Sequence, residues 1–312
     1  MNPRQPHDST RSRVGLEWRP AFLAFVVAAV VALSIVWRAE IVSRNDEKEH
    51  VARIAATFAS ALEGDVGRAL SATYALAALV RHHGGVPPNF DALANELLKH
   101  YPGAAALALA PDGIVGPIVP LAGNEKAVGH NLLKDPARDK EAFLARDTGN
   151  LTLAGPFTLV QGGVAAAGRL PIFLDQAAGP RSFWGFSNVL IRFPEAVATT
   201  GLNRLQEGEH AYELWRIHPD SKQRVSIAAG GGPVRDPVNL PVAVPNATWT
   251  LSVAPKAGWG QPARLAGRVA LATIFSLMMG ALASLLARDR NYRKPLEARV
   301  AEATLGLRTR DQ

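Results

Sequence analysis

The stretch Pro20–Trp37, PAFLAFVVAAVVALSIVW, runs eighteen residues without a charge, and Val269–Ala287, VALATIFSLMMGALASLLA, runs nineteen. Each is long enough to cross a hydrocarbon core of about 30 Å at about 1.5 Å per helical residue. Almost the whole of the 312-residue chain lies between them or just outside them. Arg4, Arg11, Arg13 and Arg19 precede the first stretch, and Arg288, Arg290, Arg293, Lys294 and Arg299 follow the second. Basic residues at span ends stay in the cytoplasm, while long loops translocate largely regardless of charge. Both termini are therefore expected inside, with the central region outside. Arg38 and Arg44 weaken the contrast without reversing it. A cleaved signal peptide is the competing reading of the first stretch. It is too long for a signal core, and Ser34-Ile35-Val36-Trp37 offers no small-residue cleavage site.

Composition narrows the function classes. The net charge of +7 could point to nucleic acid, but much of the excess sits at the two ends, where topology and anionic lipid account for it. No nucleic-acid partner is expected. The chain has no cysteine, which excludes disulfides, thiol nucleophiles and cysteine-ligated metals. His82 and His83 are adjacent, and with His100 and His130 they form no i, i+4 pair, so no metal site is expected. No phosphate loop, nucleophile elbow or paired-carboxylate motif is present; Gly230-Gly231-Gly232 lacks the Lys-Ser/Thr of a phosphate loop. The chain is read as having no cofactor and no catalytic activity.

The pattern between the spans is α+β. From Val42 to Arg81 there is no proline, and Val51, Ala55, Phe58, Leu62, Val66, Ala69, Thr73, Leu76 and Val80 recur at steps of four and three. That is the helix period. The first span is expected to continue outward as a stalk helix of roughly 60 residues, about 90 Å long, ending at Gly84-Gly85. Its stripe needs a partner, either a second copy or the domain that follows. Helices are expected at Phe90–His100, at Pro136–Arg146 with Asp135 as N-cap, and from Pro194 to Gln206. Strands are expected at Ala104–Ala110, Ile114–Pro120, Phe157–Gln161, Val164–Phe173 and Phe183–Ile191, then at His210–His218, Arg224–Ala229, Val238–Val244 and Thr248–Ala254. Gly162-Gly163 is expected to join two of them in a hairpin. Trp184, Trp215 and Trp249 are expected to anchor the second sheet region. Beyond the second span, Leu296, Val300, Ala303 and Leu307 repeat at four, three and four, the start of a coiled coil.

Five pieces in order carry a resemblance. They are Gly129-His130-Asn131-Leu132-Leu133-Lys134-Asp135-Pro136-Ala137-Arg138, Ala145-Arg146-Asp147-Thr148-Gly149, Leu153-Ala154-Gly155-Pro156-Phe157, Leu159-Val160-Gln161-Gly162, and Arg169-Leu170-Pro171-Ile172-Phe173. With the two flanking spans they resemble the CHASE sensory domain, the extracellular input domain of histidine kinases and cyclases, including plant cytokinin receptors. The resemblance covers about Phe90 to Phe173. It implies two transmembrane helices flanking a stalk helix and two tandem PAS-like antiparallel-sheet modules. It also implies a small-molecule ligand in the first module and signalling as a dimer.

The layout that follows is a cytoplasmic tail over 1–18, a transmembrane helix over 19–38 and an extracytoplasmic stalk over 39–84. A ligand-binding module over 85–176 and a membrane-proximal module over 177–262 come next. A second span over 268–288 and a cytoplasmic coiled coil over 289–312 complete it. The expected function is that of an inner-membrane receptor module, the alternative being an extracytoplasmic binding or scaffold protein with no signalling output. The receptor module would bind a small ligand, pair with a second copy through stalk and coiled coil, and report to a cytoplasmic output domain or protein.

Carried over residue by residue, the candidate ligand-binding set is Asn131, Leu133, Arg146, Thr148, Phe157, Arg169 and Leu170. Asn131 stands where cytokinin receptors place an Asp that contacts the purine. It keeps an acceptor, gains two donors and loses the charge, so a purine N–H lacks its charged partner here. Asn131 with Arg169 suits an anionic or carbonyl-bearing ligand, since guanidinium pairs with carboxylate in a fork. Other readings stand beside these. Asn131 can close a turn, Arg146 can serve a helix C-terminus, Thr148-Gly149 can be turn chemistry, and Phe157 and Leu170 can be core or pocket wall.

Overall fold

The structure, a computed structural model, describes residues 14–136, 139–158, 164–176, 179–193 and 195–308. In chain order the elements are α1 (Val14–His83), α2 (Phe90–His100), β1 (Ala106–Pro111), β2 (Ile118–Val119), α3 (Lys140–Thr148), β3 (Thr152–Thr158), β4 (Val164–Leu174), β5 (Ser182–Phe193), α4 (Glu195–Thr199), α5 (Asn203–Glu207), β6 (His210–Ile217), β7 (Arg224–Gly230), β8 (Val238–Val244), β9 (Ala247–Pro255) and α6 (Pro262–Arg308). The class is α+β. Two antiparallel sheets carry the strands, one of order β2-β1-β5-β4-β3 and one of order β7-β6-β9-β8. Residues 1–13, the Gly162-Gly163 turn and the side chains of Leu296, Val300, Ala303 and Leu307 lie outside what is described.

The chain divides into two units, Lys48–Trp259 and the pair of segments Met1–Glu47 and Gly260–Gln312. In the first unit the apolar stripe of α1 finds its partner within the chain. Val51, Ala55, Leu62, Val66, Ala69, Thr73, Leu76 and Val80 are all buried, and Phe58 packs half-buried beside them. They share one core with Leu107, Leu109, Val189 and Ile172 of the first sheet and with Leu214, Trp249, Leu251 and Val253 of the second. Of the two partners expected for the stripe, a second copy or the domain that follows, it is the domain's own sheets that cover it. The reason is chemical: its Ala and Thr positions let a sheet come close but give a helix partner little to grip. The approach is closest at Gly168, where a Cβ would fall 2.2 Å from Leu70 Cδ2 and 2.9 Å from Val189 Cγ1. Beside it, Ser187 Oγ donates to the Thr73 carbonyl at 2.9 Å. The helix ends as its sequence requires, with Gly84 in the left-handed region and Gly85 N–H bonded back to Val80 O at 3.0 Å.

Alternation sets the two faces of the first sheet. In β1, Leu107 and Leu109 point to α1, while Ala106, Ala108 and Ala110 point away. A second, smaller core lies on that other side, where Ala108, Ala110 and Phe186 meet Val115, Leu132, Ala142 and Ala145.

Several expectations are corrected. The strand Ser182–Phe193 lies between β1 and β4, so the first sheet extends past Gln176 and Trp184 belongs to it. Trp249 is the buried anchor of the second sheet, and Trp215 lies half-buried there, its Nε1 donating to Ser252 Oγ at 2.7 Å. In the return strand expected over Ile114–Pro120 the regular ladder is confined to Ile118 and Val119, with Gly116 N–H and Pro117 O bonded irregularly to Leu109. Ile114 bridges to Asn131 instead, and Pro117 has no amide hydrogen to extend the ladder. The helix expected from Pro136 starts at Lys140, with Asp139 rather than Asp135 at its N-cap. The helix expected up to Gln206 is two short ones parted near Gly201, whose φ is +71°; Pro194 is not described.

In the second unit, α1 and α6 are long and apolar enough to cross a membrane, by length and composition. Small residues of α6 lie inward: Ala272 and Ser276 are buried, and a Cβ at Gly280 would stand 3.1 Å from Phe25 Cβ. Leu23, Ile35, Trp37, Leu271, Met278 and Leu285 are exposed. Glu40 pairs with Arg44 at 2.9 Å and with Arg268 at 3.7 Å.

If the stripe is core, Leu76→Ala is expected to cost about 2–5 kcal/mol of stability, whereas Tyr74→Ala, on the exposed side of the same turn, should stay within about 0.5 kcal/mol. Denaturant melts of the full chain in detergent read both. An unchanged Leu76→Ala melt combined with weakened self-association would show that the stripe pairs between chains.

Candidate functional site

A cavity of about 500 Å³ lies on the face of the first sheet turned away from α1. Register explains its floor. Ala108 of β1, Asn188 of β5, Arg169 of β4 and Thr152 of β3 stand directly opposite one another across the sheet, so their side chains share a face. The next row is Ala106, Leu190, Ala167 and Ala154. Three alanines in that row, with Ala108 beside them, leave the space that larger side chains would fill.

The walls come from three places. The segment after β1 folds over the floor and is pinned by reciprocal bonds, Val115 N–H to His130 O at 2.9 Å and Gly129 N–H to Val115 O at 2.7 Å. It brings Val115, Lys126 and His130 to the cavity. The start of α3 brings Asp139, Lys140 and Glu141, and the end of β6 with its turn brings Arg216, His218 and Asp220. Lys140 and Asp220 are ion-paired across that rim. On the remaining side the β3–β4 pairing slips between Ala154 and Phe157. The extra residue of that bulge puts both Ala154 and Phe157 on the cavity face, which strict alternation forbids. Gly155, at φ +95°, fits there because a Cβ would stand 2.9 Å from Ala165 O.

The polar groups are buried and underused. The Arg169 side chain is 8% exposed and that of Asp139 is 7% exposed, with Arg169 Nη2 3.7 Å from Asp139 Oδ1, beyond hydrogen-bond reach. His130 Nε2 bonds Asp139 Oδ1 at 3.4 Å and lies 3.2 Å from Oδ2. Asp139 Oδ2 itself has no hydrogen-bond partner, nor do Asn188 Oδ1, Asn188 Nδ2 and Arg216 Nε. Asn188 is only 9% exposed. Each such orphan costs about 1–3 kcal/mol. Burial holds the Arg169 guanidinium below its ordinary range, against the pull of Asp139 and then Glu141. Burial lowers Arg216 likewise, with Glu141 opposing. Both remain cations, since arginine does not lose its proton in proteins.

Of the residues proposed from sequence, Arg169 and Phe157 line this cavity. The other five do not. Asn131 Oδ1 accepts the Leu133 N–H at 2.8 Å, closing a turn. Leu133 packs against the smaller core. Arg146 pairs with Asp147 and lies over the Phe143 ring. Thr148 Oγ1 donates to the Leu144 carbonyl at 2.7 Å. Leu170, one residue from Arg169, points to the α1 core. Sequence reasoning missed Asn188, Asp139 and Arg216. The available signal was a lone amide within the apolar run Phe186–Ile191, and a lone arginine within Leu214–Ile217. No group of three or more His, Asp or Glu that could hold a metal is found among the described residues.

Residues 113–225 match the family model of the CHASE domain. The matched span contains every cavity-lining residue except Ala106 and Ala108. No curated protein matches in sequence. Among solved structures, the chain is similar to an extracellular ligand binding receptor from Desulfohalobium retbaense DSM5692, at TM-score 0.48 and 12% identity, over 64% of this chain and 39% of that one. This chain thus spans well under half of that receptor. It is also similar to the ligand binding domain of the Pseudomonas aeruginosa PAO1 amino acid chemoreceptor PctC in complex with GABA (TM-score 0.43, 16% identity, 66% and 98% covered). A third is the sensor domain of the V. cholerae histidine kinase DctB (TM-score 0.42, 11% identity, 67% and 95% covered).

An amide kept for a ligand and unpaired without one should be a burden on the empty protein. Asn188→Leu, nearly isosteric, is expected to raise the stability of the ligand-free chain by about 1 kcal/mol. A lower melting temperature in the variant would show that Asn188 supports the fold instead.

Proposed function

We propose that this chain is the input part of a membrane receptor, in which the cavity of the first sheet binds a small molecule and the flanking helices carry the outcome to the cytoplasm. The observation that carries the reading is Asn188, fully unpartnered and buried on the floor of an alanine-lined cavity beside Arg169. A volume of about 500 Å³ lies within the range of small-molecule sites, about 300–1,000 Å³, and polar groups converging on an apolar floor are what such sites use to orient a ligand. The CHASE match over the same residues supports it.

In this reading the two sheets act as tandem PAS-like modules, the first binding and the second relaying. Arg216 and Asp220 of the β6 end help to wall the cavity. The Leu153 N–H of β3 bonds Asn246 Oδ1 in the β8–β9 turn at 2.6 Å. The last strand of the second sheet leads within a few residues into α6. A ligand that favours one arrangement of the two sheets would bias α6; equal affinity for both would transmit nothing. The exposed apolar side chains of α1 and α6 face lipid, and the basic residues Arg288, Arg290 and Arg293 hold the end of α6 in the cytoplasm. Pairing of two copies would then fall to the cytoplasmic part of α6. Catalytic output belongs to a domain or protein at that end.

Two measurements test this. The chain has no cysteine, so single cysteines report sidedness. Gln223→Cys is expected to react with a membrane-impermeant maleimide in intact cells, and Arg290→Cys only after permeabilisation; the reverse pattern would sink the topology. For binding, a melt screen of the full chain in detergent is expected to find a compound that stabilises it by about 2.7 kcal/mol at a hundred times its Kd, an effect lost in Arg169→Ala. A cooperative melt indifferent to organic acids, amino acids, purines and short peptides alike would favour a scaffold over a receptor.

A further inference from the structure

The orphaned atoms of the cavity define what would satisfy them. On the donor side are Arg216 Nε and Asn188 Nδ2, with the Arg169 guanidinium, loosely ion-paired to Asp139, beside them; on the acceptor side are Asp139 Oδ2 and Asn188 Oδ1. All five groups border one cavity. Asn188 and Arg169 are cross-strand neighbours, and Asp139 lies 3.7 Å from Arg169. Two guanidiniums that stay charged, Arg169 in a loose 3.7 Å ion pair with Asp139 and Arg216 with Nε unbonded among the described residues, leave fork-shaped donors that suit a carboxylate. Two buried acceptors beside them call for a donor on the same molecule. The alanine floor calls for an apolar remainder.

We propose that the cavity takes a short organic acid that carries a hydroxyl or ammonium donor close to its carboxylate. The carboxylate is held between Arg169 of the first sheet and Arg216 of the second, with Asn188 Nδ2 beside it. The donor goes to Asp139 Oδ2 and Asn188 Oδ1. The rest lies along Ala106, Ala108 and Ala167. Asp139 and Glu141 temper the cationic field, so inorganic anions, which bring no donor or apolar part, are poor ligands. Because one carboxylate draws on both sheets, occupancy would fix the second sheet against the first. This assignment rests on the receptor reading above.

A matched set of probes tests it by calorimetry on the full chain in detergent: L-leucine, L-2-hydroxy-4-methylpentanoate, 4-methylpentanoate, which lacks the donor, and 2-hydroxy-4-methylpentanamide, which lacks the charge. L-alanine, L-lactate and adenine complete it. At least one acid that carries a donor is expected to bind saturably. Its donor-less and uncharged analogues should bind at least about tenfold more weakly, the loss of one charge-assisted hydrogen bond. Arg216→Gln should weaken the acids by about the same factor and leave the amide unaffected, with Arg216→Lys recovering part; a melt confirms that each variant folds. Binding of adenine or of the amide as tight as that of the acids would overturn the ligand class and leave the receptor standing. Acid binding indifferent to Arg216→Gln would overturn the two-sheet clamp. No saturable binding by any probe to a cooperatively folded chain would overturn the assignment, and the melt screen above then decides separately whether the receptor reading falls with it.

Discussion

One helix stripe has to satisfy two sheets at once. Between Val51 and Val80 a single face of α1 covers the inner face of the first sheet and reaches the core of the second. Neither sheet has another helix of comparable length within its unit. Burying that stripe removes a row of leucine and valine side chains from water, each worth about 1.5–3 kcal/mol. The sheets are shaped to receive it. Gly168 lets Leu70 lie against the strand, and Ser187 spends its hydroxyl on the Thr73 carbonyl. A larger side chain at Gly168 would lift the helix from the strand that carries Arg169.

The site follows from the same constraint. Because one face of the first sheet is committed to α1, only the other can be hollow. There β1 alternates Ala with Leu, and the alanines fall on the cavity side. A thin floor, a bulge that turns Phe157 inward and a pinned segment after β1 leave a chamber whose polar groups are incompletely paired. A structure selected for stability alone would replace Asn188 with an apolar residue. The unpaired amide and the β3 bulge break local rules at the same cavity, the pattern expected where a site rather than the fold sets the residue.

Much of the fold was legible. The three-and-four steps of α1, its glycine stop, the short helix after it and seven of the strands can be placed from periodicity and turn residues, because each depends on neighbours within a few positions; the strand expected at Phe157–Gln161 lies at Thr152–Thr158 instead. What α1 packs against could not be read, since a stripe of Val, Leu, Ala and Thr suits a sheet or another helix. Which sheet Ser182–Phe193 joins could not be read, since it inserts between two earlier strands, a matter of topology rather than propensity. The site was less legible still. Arg169 and Phe157 came through resemblance, but Leu170 shows the limit: adjacent strand residues face opposite ways, and motif likeness does not say which is inside. Asn131 accepts the N–H two residues on instead of lining the cavity. Asp139, Asn188 and Arg216 lie far apart in the chain and meet only because the strand order is β2-β1-β5-β4-β3 and the β6 end leans over it.

The most direct measurement of the central claim is amide hydrogen exchange on the full chain in lipid nanodiscs, with and without saturating L-leucine or L-2-hydroxy-4-methylpentanoate. The expected result is added protection in two separated places, around Arg169 and Asn188 in the first sheet and from Arg216 to Asp220 at the end of β6, with the Val51–Val80 segment protected in both states. Unchanged exchange at the first place, or protection there with none at β6, would contradict a ligand cavity that joins the two sheets.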